Sequence, residues 1–530
     1  IPIESLDRSA EEIYFETNFN ATYKTNPLYN ACTEVTNETG MDEIDEGIID
    51  RLRNLGYDIA ILDFEWGGND ILENVETMKE AIGVINAELT ENGSSEKLIV
   101  MGPSMGALIS RIALSQMNNH NARMYISFDG PQQGAYIPMP LQEFYGYMLG
   151  IANKTISAAE AVLFLLDKPI SALTSSLFQV SLNGVVNKFS PLTCPAAKQM
   201  LMYHYLGTSN NQPFAPHSTH TSLYNSISGS YPTNCMNVAI SCGDGKGENQ
   251  NFPPVGTDYL GFETNATIKT KIEFKELPQT GSLSDFMKFK IWSNVKLFKW
   301  NIELNLLNKQ FNSYTTSSSK SYEHEPGGNF NSTNMVTGLL SKLHSGFTYD
   351  KFECFMPFST AFDLSSNVSN NIFTEFNIPT GRNFTKNIYP AKSPFDMLYV
   401  CNENRYHVLR SPNSTNNPLP GLSKKMTDFI VFLVENSKYC DGESQSNVYD
   451  MYDIYYNNGI QKCNIAFNQN FIANGIVKES YNNSDVTLSN ISLTNSNADV
   501  KIHSTQSITL GPNTEIGNGC TFYANNGVCQ

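Results

Sequence analysis

The chain has 530 residues, and length alone suggests roughly two to four domains; 40% hydrophobic and 16% charged content is an ordinary globular balance. Asp and Glu outnumber Lys and Arg by 52 to 35, for a net charge of −17 without a basic cluster, which argues against nucleic acid and anionic membranes as partners. No uncharged apolar run reaches transmembrane length: the nearest, residues 158–180, is broken by Glu160, Asp167, Lys168 and Pro169.

The chain opens at Ile1 with neither an initiator Met nor a signal-like apolar segment, as a mature or trimmed form would. Residues 1–45 are polar and irregular. Residues 45–55 carry Ile49, Leu52 and Leu55 at helical spacing and stop at Gly56. Residues 57–64, YDIAILDF, read as a buried strand. Next, Ile71, Val75, Met78, Ile82, Ile85 and Leu89 form the apolar stripe of an amphipathic helix that ends at Asn92-Gly93. Strand, helix, strand and helix in succession predict a parallel βαβ arrangement.

The segment LIVMGPSMGALISR, residues 98–111, follows. Leu98 to Met101 suit a strand buried on both faces, Gly102-Pro103-Ser104-Met105-Gly106 is a G-x-S-x-G, and Ala107 to Leu114 suit a helix. In that context the pentapeptide reads as a nucleophile elbow. Ser104 would sit at its tip, the N–H of Met105 would point at a developing oxyanion, and the two glycines would let strand and helix approach.

Residues 123–128 form a third strand, running into Asp129-Gly130-Pro131, where Asp129 invites a catalytic reading but is read as a rim carboxylate capping a turn. Residues 135–230 break the alternation with amphipathic stretches, as a lid over the site would. Residues 237–241 return as a strand ending near Asp244. The span 260–330 alternates in antiparallel β fashion and includes a turn at Glu325-Pro326-Gly327-Gly328. Residues 352–362 and 393–407 are the last core segments, and residues 426–433 a closing helix. From 450 to 530 the composition shifts to Asn, Ser and Thr with period-two apolar residues, predicting a small β module. The whole is an α/β class chain: an irregular segment 1–45, a mainly parallel sheet flanked by helices over 46–449, and the module.

The ten cysteines suit pairing better than metal binding. Cys520 with Cys529 and Cys440 with Cys463 bracket short loops as local disulfides would, which would imply an oxidising compartment; buried free thiols are the equal alternative. Asn-X-Ser/Thr triplets recur at Asn20, Asn37, Asn153, Asn265, Asn331, Asn383 and Asn413. No cofactor motif or dense metal-ligand cluster stands out, so neither a cofactor nor a metal is expected.

A serine nucleophile needs a base. His204, His217 and His220 fall in the lid, His324 and His344 in the β excursion, and His503 in the tail. His407, in the polar loop after the last strand-like run, is the candidate. For the acid three carboxylates are open. Asp396, 11 residues before His407, is favoured; Asp244 and Asp363 each end a core segment.

The blocks GYDIAILDF, NDILENVETMKEAIGVIN, GPSMGALISRIAL, NARMYISFDGPQQGAYIPMPLQ, FMPFSTAFD and SPFDMLYVCNENRYH together resemble a family of secreted bacterial α/β-hydrolases of esterase or lipase type. That family is distantly similar to GPI inositol-deacylases and triglyceride lipases. The resemblance covers residues 50–440 and implies Ser104 as nucleophile and His407 as base. The segment ITLGPNTEIGNGCTFYANNGVC is similar to short C-terminal β modules of secreted bacterial proteins, implying a secreted or cell-surface setting with the module as a means of surface association. The family has Gly where this chain has Ala107, and an opening strand with a second oxyanion donor that residues 1–45 do not display. The expected activity is hydrolysis of a small-molecule or lipid-like carboxylic ester through an acyl-enzyme. The alternative is a weak or inactive hydrolase scaffold that binds glycan or protein.

Overall fold

The computed structural model describes residues 34–36, 42–44, 48–153 and 190–436, apart from 249, 251–257, 264–267, 276–282, 298–299, 317–321, 333–351, 379–382, 387–388 and 408–421, together with eight short strands between 465 and 526. Strands β1 (Glu34–Thr36) and β2 (Asp42–Ile44) pair antiparallel. Helix α1 (Ile48–Asn54) gives way to Gly56 at φ 86°, a left-handed residue that ends a helix at little cost. The strand expected at 57–64 does not form. Tyr57, Ile59 and Ile61 are half-buried and alternate with exposed Asp58, Ala60 and Leu62, so this segment has one apolar face, where a strand inside a parallel sheet has two.

Helix α2 (Ile71–Glu91) is capped by Asp70, whose side chain accepts from the Leu72 N–H at 2.9 Å. Ile71, Val75 and Ile82 of the predicted stripe are buried. Then come β3 (Leu98–Pro103), α3 (Met105–Gln116), β4 (Ala122–Phe128) and α4 (Met139–Asn153). Short helices α5 (Pro195–Met200) and α6 (Ser218–Ser226) precede β5 (Met236–Asp244). Four strands, β6 (Asp258–Glu263), β7 (Ile268–Lys275), β8 (Ser284–Leu297) and β9 (Trp300–Ser313), form a separate antiparallel sheet in sequential order. The chain continues through β10 (Gly327–Phe330), β11 (Glu353–Pro357), α7 (Phe358–Ala361), α8 (Ile372–Glu375), β12 (Phe384–Lys386), β13 (Met397–Cys401) and α9 (Lys424–Asn436).

The central sheet has the order β12-β13-β5-β4-β3. Its last four strands are mutually parallel, and β12 runs antiparallel at one edge. Because side chains alternate, β4 serves two cores. Met124, Ile126 and Phe128 join Val238, Ile240, Met397 and Tyr399 under Met426, Phe429, Ile430 and Leu433 of α9. Tyr125 joins Ala239, Leu398 and Val400 on the other face against Phe358, Phe362 and Ile372. A mostly parallel sheet covered by helices is therefore present. Beside it, Phe144 of α4 packs its ring 5.4 Å from Phe274 and 5.3 Å from Phe289 of the antiparallel sheet. Residues 154–189 of the expected lid lie outside the described residues.

The tail strands β14 (Ile465–Phe467), β15 (Ile476–Tyr481), β16 (Asp485–Leu488), β17 (Ser492–Leu493), β18 (Asp499–Ser504), β19 (Ser507–Leu510), β20 (Glu515–Ile516) and β21 (Thr521–Asn526) pair only in parallel. Their sheets are β14-β16-β19, β15-β18-β21 and β17-β20. Ile476 sits beside Asp499 and Asp499 beside Thr521, so the backbone returns to the same column after about one repeat of solenoid length. Val477, Val500 and Phe522 are stacked in register, as are Leu488 and Leu510.

The two expected disulfides lie outside the described residues, while Cys194, Cys235, Cys242, Cys354 and Cys401 form no disulfide. Asn331 and Asn383 are buried, which closes these two triplets to glycan attachment on the folded chain. Among the described residues no helix is long and apolar enough to cross a membrane.

Candidate active site

Strand β3 delivers Ser104 into a turn with φ 51° and ψ −124°, a conformation a side chain-bearing residue adopts only under constraint. The constraint comes from both sides. Ser104 donates its N–H to Phe128 O at 2.9 Å, and its carbonyl accepts from Ala107 N–H at 2.9 Å. A Cβ at Gly102 would lie 2.3 Å from the Gly106 backbone, so Gly102 is required by the strand–helix approach. Gly106 differs: a Cβ there would meet only Pro103 at 3.5 Å, an ordinary contact. Of the two glycines, the sequence-based argument holds in full for Gly102. Met105 is the first residue of α3, where backbone N–H groups have no intrahelical acceptor and favour negative charge.

The structure brings His407 to Ser104 from 303 residues away, with Nε2 at 2.9 Å from Oγ. The loop bearing it is pinned by backbone: Arg405 N–H donates to Cys242 O (2.8 Å), Asn329 N–H to Arg405 O (2.9 Å) and His407 N–H to Asn329 O (2.7 Å). The Phe355 ring lies 4.7 Å from the imidazole centroid.

The acid at Nδ1 is Asp129, with Oδ2 at 2.7 Å. Asp129 follows β4 at φ 45°. Its N–H donates to Ile240 O at 2.7 Å, and Oδ1 accepts from Cys242 N–H at 3.1 Å. The turn-cap expectation for Asp129 is corrected: its carboxylate binds Cys242 N–H of β5 and the His407 imidazole, and neither contact lies in the turn that follows it. Asp396, favoured from sequence, is corrected: its carboxylate accepts from Asn237 N–H at 2.8 Å. It precedes β13 whereas His407 follows it, and five strand residues carry the chain about 16 Å. The 11 residues between them include the whole of β13, which separates the two in space. Asp244, which burial raises to about 6, turns back to accept from Lys246 N–H at 2.9 Å. Asp363 accepts from Gln133 Nε2 (2.8 Å) and Tyr231 O–H (2.7 Å) and lies 3.5 Å from Arg111.

Ser104, Asp129 and His407 are all buried, at 4%, 0% and 1% exposure. Burial lowers His407 to about 4, against the opposing pull of the Asp129 carboxylate. The imidazole is thus neutral at pH 7. A carboxylate accepting at Nδ1 holds the proton there and leaves the Nε2 lone pair to accept from the serine hydroxyl. The arrangement can withdraw that proton as the oxygen attacks an electrophile.

Gly328, in the sequence part of a turn motif, lies in β10. It packs on the Asp129–His407 pair, and no sequence signal short of the complete tertiary contact singles it out. No family model, no curated protein and no solved structure matches this chain.

Proposed function

We propose that the chain is a serine hydrolase of α/β-hydrolase type acting on carboxylic esters, with Ser104 as nucleophile, His407 as general base and Asp129 as the orienting acid. The observation that carries this reading is the hydrogen-bonded line Ser104 Oγ–His407 Nε2 and His407 Nδ1–Asp129 Oδ2, with a neutral, buried imidazole between. In the first half-reaction Ser104 Oγ bonds to the ester carbonyl carbon as His407 takes its proton. The tetrahedral oxyanion collects against Met105 N–H, and the alkoxide leaves with the proton from His407. In the second, water attacks the acyl-serine with its proton passing to His407, and Ser104 recovers its hydrogen as the acid departs.

The Phe355 ring beside the His407 imidazole favours an apolar acyl group, and the resemblance at the motifs favours a secreted or surface-attached setting with the C-terminal strands as the attachment. Hydrolysis of p-nitrophenyl esters of increasing chain length by the wild type and Ser104→Ala tests the reading. Activity that vanishes with the serine supports it. A folded wild type inert on every ester, and unlabelled by a fluorophosphonate probe, would sink it and leave the scaffold a binding protein.

A further inference from the structure

The backbone at Gly328 occupies a place that no other residue could take without disturbing the acid. A Cβ built there would stand 2.0 Å from Asp129 Oδ2, 3.0 Å from Asp129 Cγ and 3.1 Å from His407 Cα. Van der Waals contact for such pairs begins well beyond 3 Å, so something must move. The carboxylate has little freedom: Oδ1 accepts from Cys242 N–H, Oδ2 binds His407, and the Asp129 backbone is held by Ile240 O. Strand β10 has little more. Gly327 is wedged between the Met356 carbonyl, 2.2 Å from its own built Cβ, and the backbone beside Gly243. Asn329, the next residue, both donates to Arg405 O and accepts from His407 N–H. The required absence of a side chain does not stem from torsion, since Gly328 has no left-handed φ; it stems from space alone.

We infer that Gly328 is a positioning residue that sets the distance between Asp129 and His407, with β10 serving as the jig that aligns acid and base from behind. This rests on the proposed role of Asp129 and His407. A methyl group at 328 displaces Oδ2 from Nδ1 while the elbow and Ser104 stay in place.

The test is a double-mutant cycle on Ser104-dependent ester hydrolysis: Gly328→Ala, Asp129→Ala and both together, with thermal melting of each. Gly328→Ala in the wild-type background is expected to lower kcat by about 10²–10⁴-fold, the range of losing a triad acid, with KM little changed. In the Asp129→Ala background the carboxylate that the methyl would strike is gone, and the same substitution is expected to change kcat less than about threefold. A second readout needs no substrate. The deshielded proton on His407 Nδ1, seen by NMR at low field, is expected in the wild type and Ser104→Ala and absent from Gly328→Ala and Asp129→Ala.

Equal losses in both backgrounds, or a Gly328→Ala enzyme that keeps both full activity and the low-field proton, would overturn the inference. Should Gly328→Ala fail to fold, recovery of melting and kcat to the Asp129→Ala level in the double variant supports it, and no recovery refutes it. An inactive wild type that still shows the proton, lost on Gly328→Ala, would place the failure in the proposed function and leave the positioning contact standing.

Discussion

Replacing Asp129 by Asn is the sharpest test of the triad, because its two oxygens face different donors. Oδ1 accepts from Cys242 N–H at 3.1 Å and Oδ2 faces His407 Nδ1 at 2.7 Å. An amide has one acceptor and one donor end. If its oxygen stays on Cys242 N–H, the NH2 group faces Nδ1, which must then offer its lone pair. The imidazole proton moves to Nε2 and confronts Ser104 Oγ, and no base remains. If the amide flips, the tautomer is kept but two donors meet at buried Cys242 N–H, which costs about 1–3 kcal/mol. The competent flip is therefore the minor state, and it lacks the negative charge that stabilises the imidazolium. We expect kcat to fall by about 10²–10⁴-fold, or about 2.7–5.4 kcal/mol of transition-state stabilisation, with an unchanged fold by circular dichroism. Asp396→Asn keeps an oxygen for Asn237 N–H and should leave kcat within about threefold. An Asp129→Asn enzyme within fivefold of wild type, or an Asp396→Asn enzyme as impaired as expected for Asp129→Asn, would refute the assignment.

The acid limb of kcat/KM should lie well below the 6.5 of an ordinary histidine, toward 4, because burial disfavours the charged form of His407 and only the neutral form can act; a limb at or above 6.5 would contradict this. Glu143 and Glu353, each pushed by burial up to about 8, should make the protein lose stability as pH rises from about 4.5 to 8. Denaturant titrations should show that slope flattened in Glu143→Gln and Glu353→Gln. Arg111 is buried, donates to Ile227 O at 3.0 Å and Ser230 O at 2.8 Å, and lies 3.8 Å over the Tyr231 ring; Arg111→Met should cost about 3–5 kcal/mol, and Arg111→Lys should recover little of it. Gly102→Ala should abolish fluorophosphonate labelling of Ser104, since its methyl drives against the first turn of α3; labelling at the wild-type rate would show that the elbow can yield.

Local chemistry made much of this protein legible in its residues. The G-x-S-x-G between an apolar run and a helical run is legible as the elbow, because a strand meeting a helix this closely leaves no room for a side chain at Gly102. The periodicity of Ile71 to Leu89 located α2, and alternation in 260–330 located the antiparallel sheet. The position of His407 after the last strand-like run placed it in the loop that reaches Ser104. In the tail, alternation was visible while the parallel pairing was not, because a repeat spanning some twenty residues is hidden from a reading that compares neighbours.

Other features depended on which strands lie side by side. Residues 57–64 have the composition of a buried strand, yet hydrogen-bonding partners decide whether a ladder forms, and no strand forms there. The acid depended on tertiary structure in the same way. Asp396 is near His407 in the chain and at the opposite end of β13, while Asp129, 278 residues away, ends a strand two places across the sheet. A triad is assembled at one edge of a parallel sheet, and sequence distance says little about which carboxylates share that edge. Gly328 is the extreme case, since a side chain there would meet the Asp129 carboxylate and the His407 backbone, neighbours that only the tertiary structure supplies.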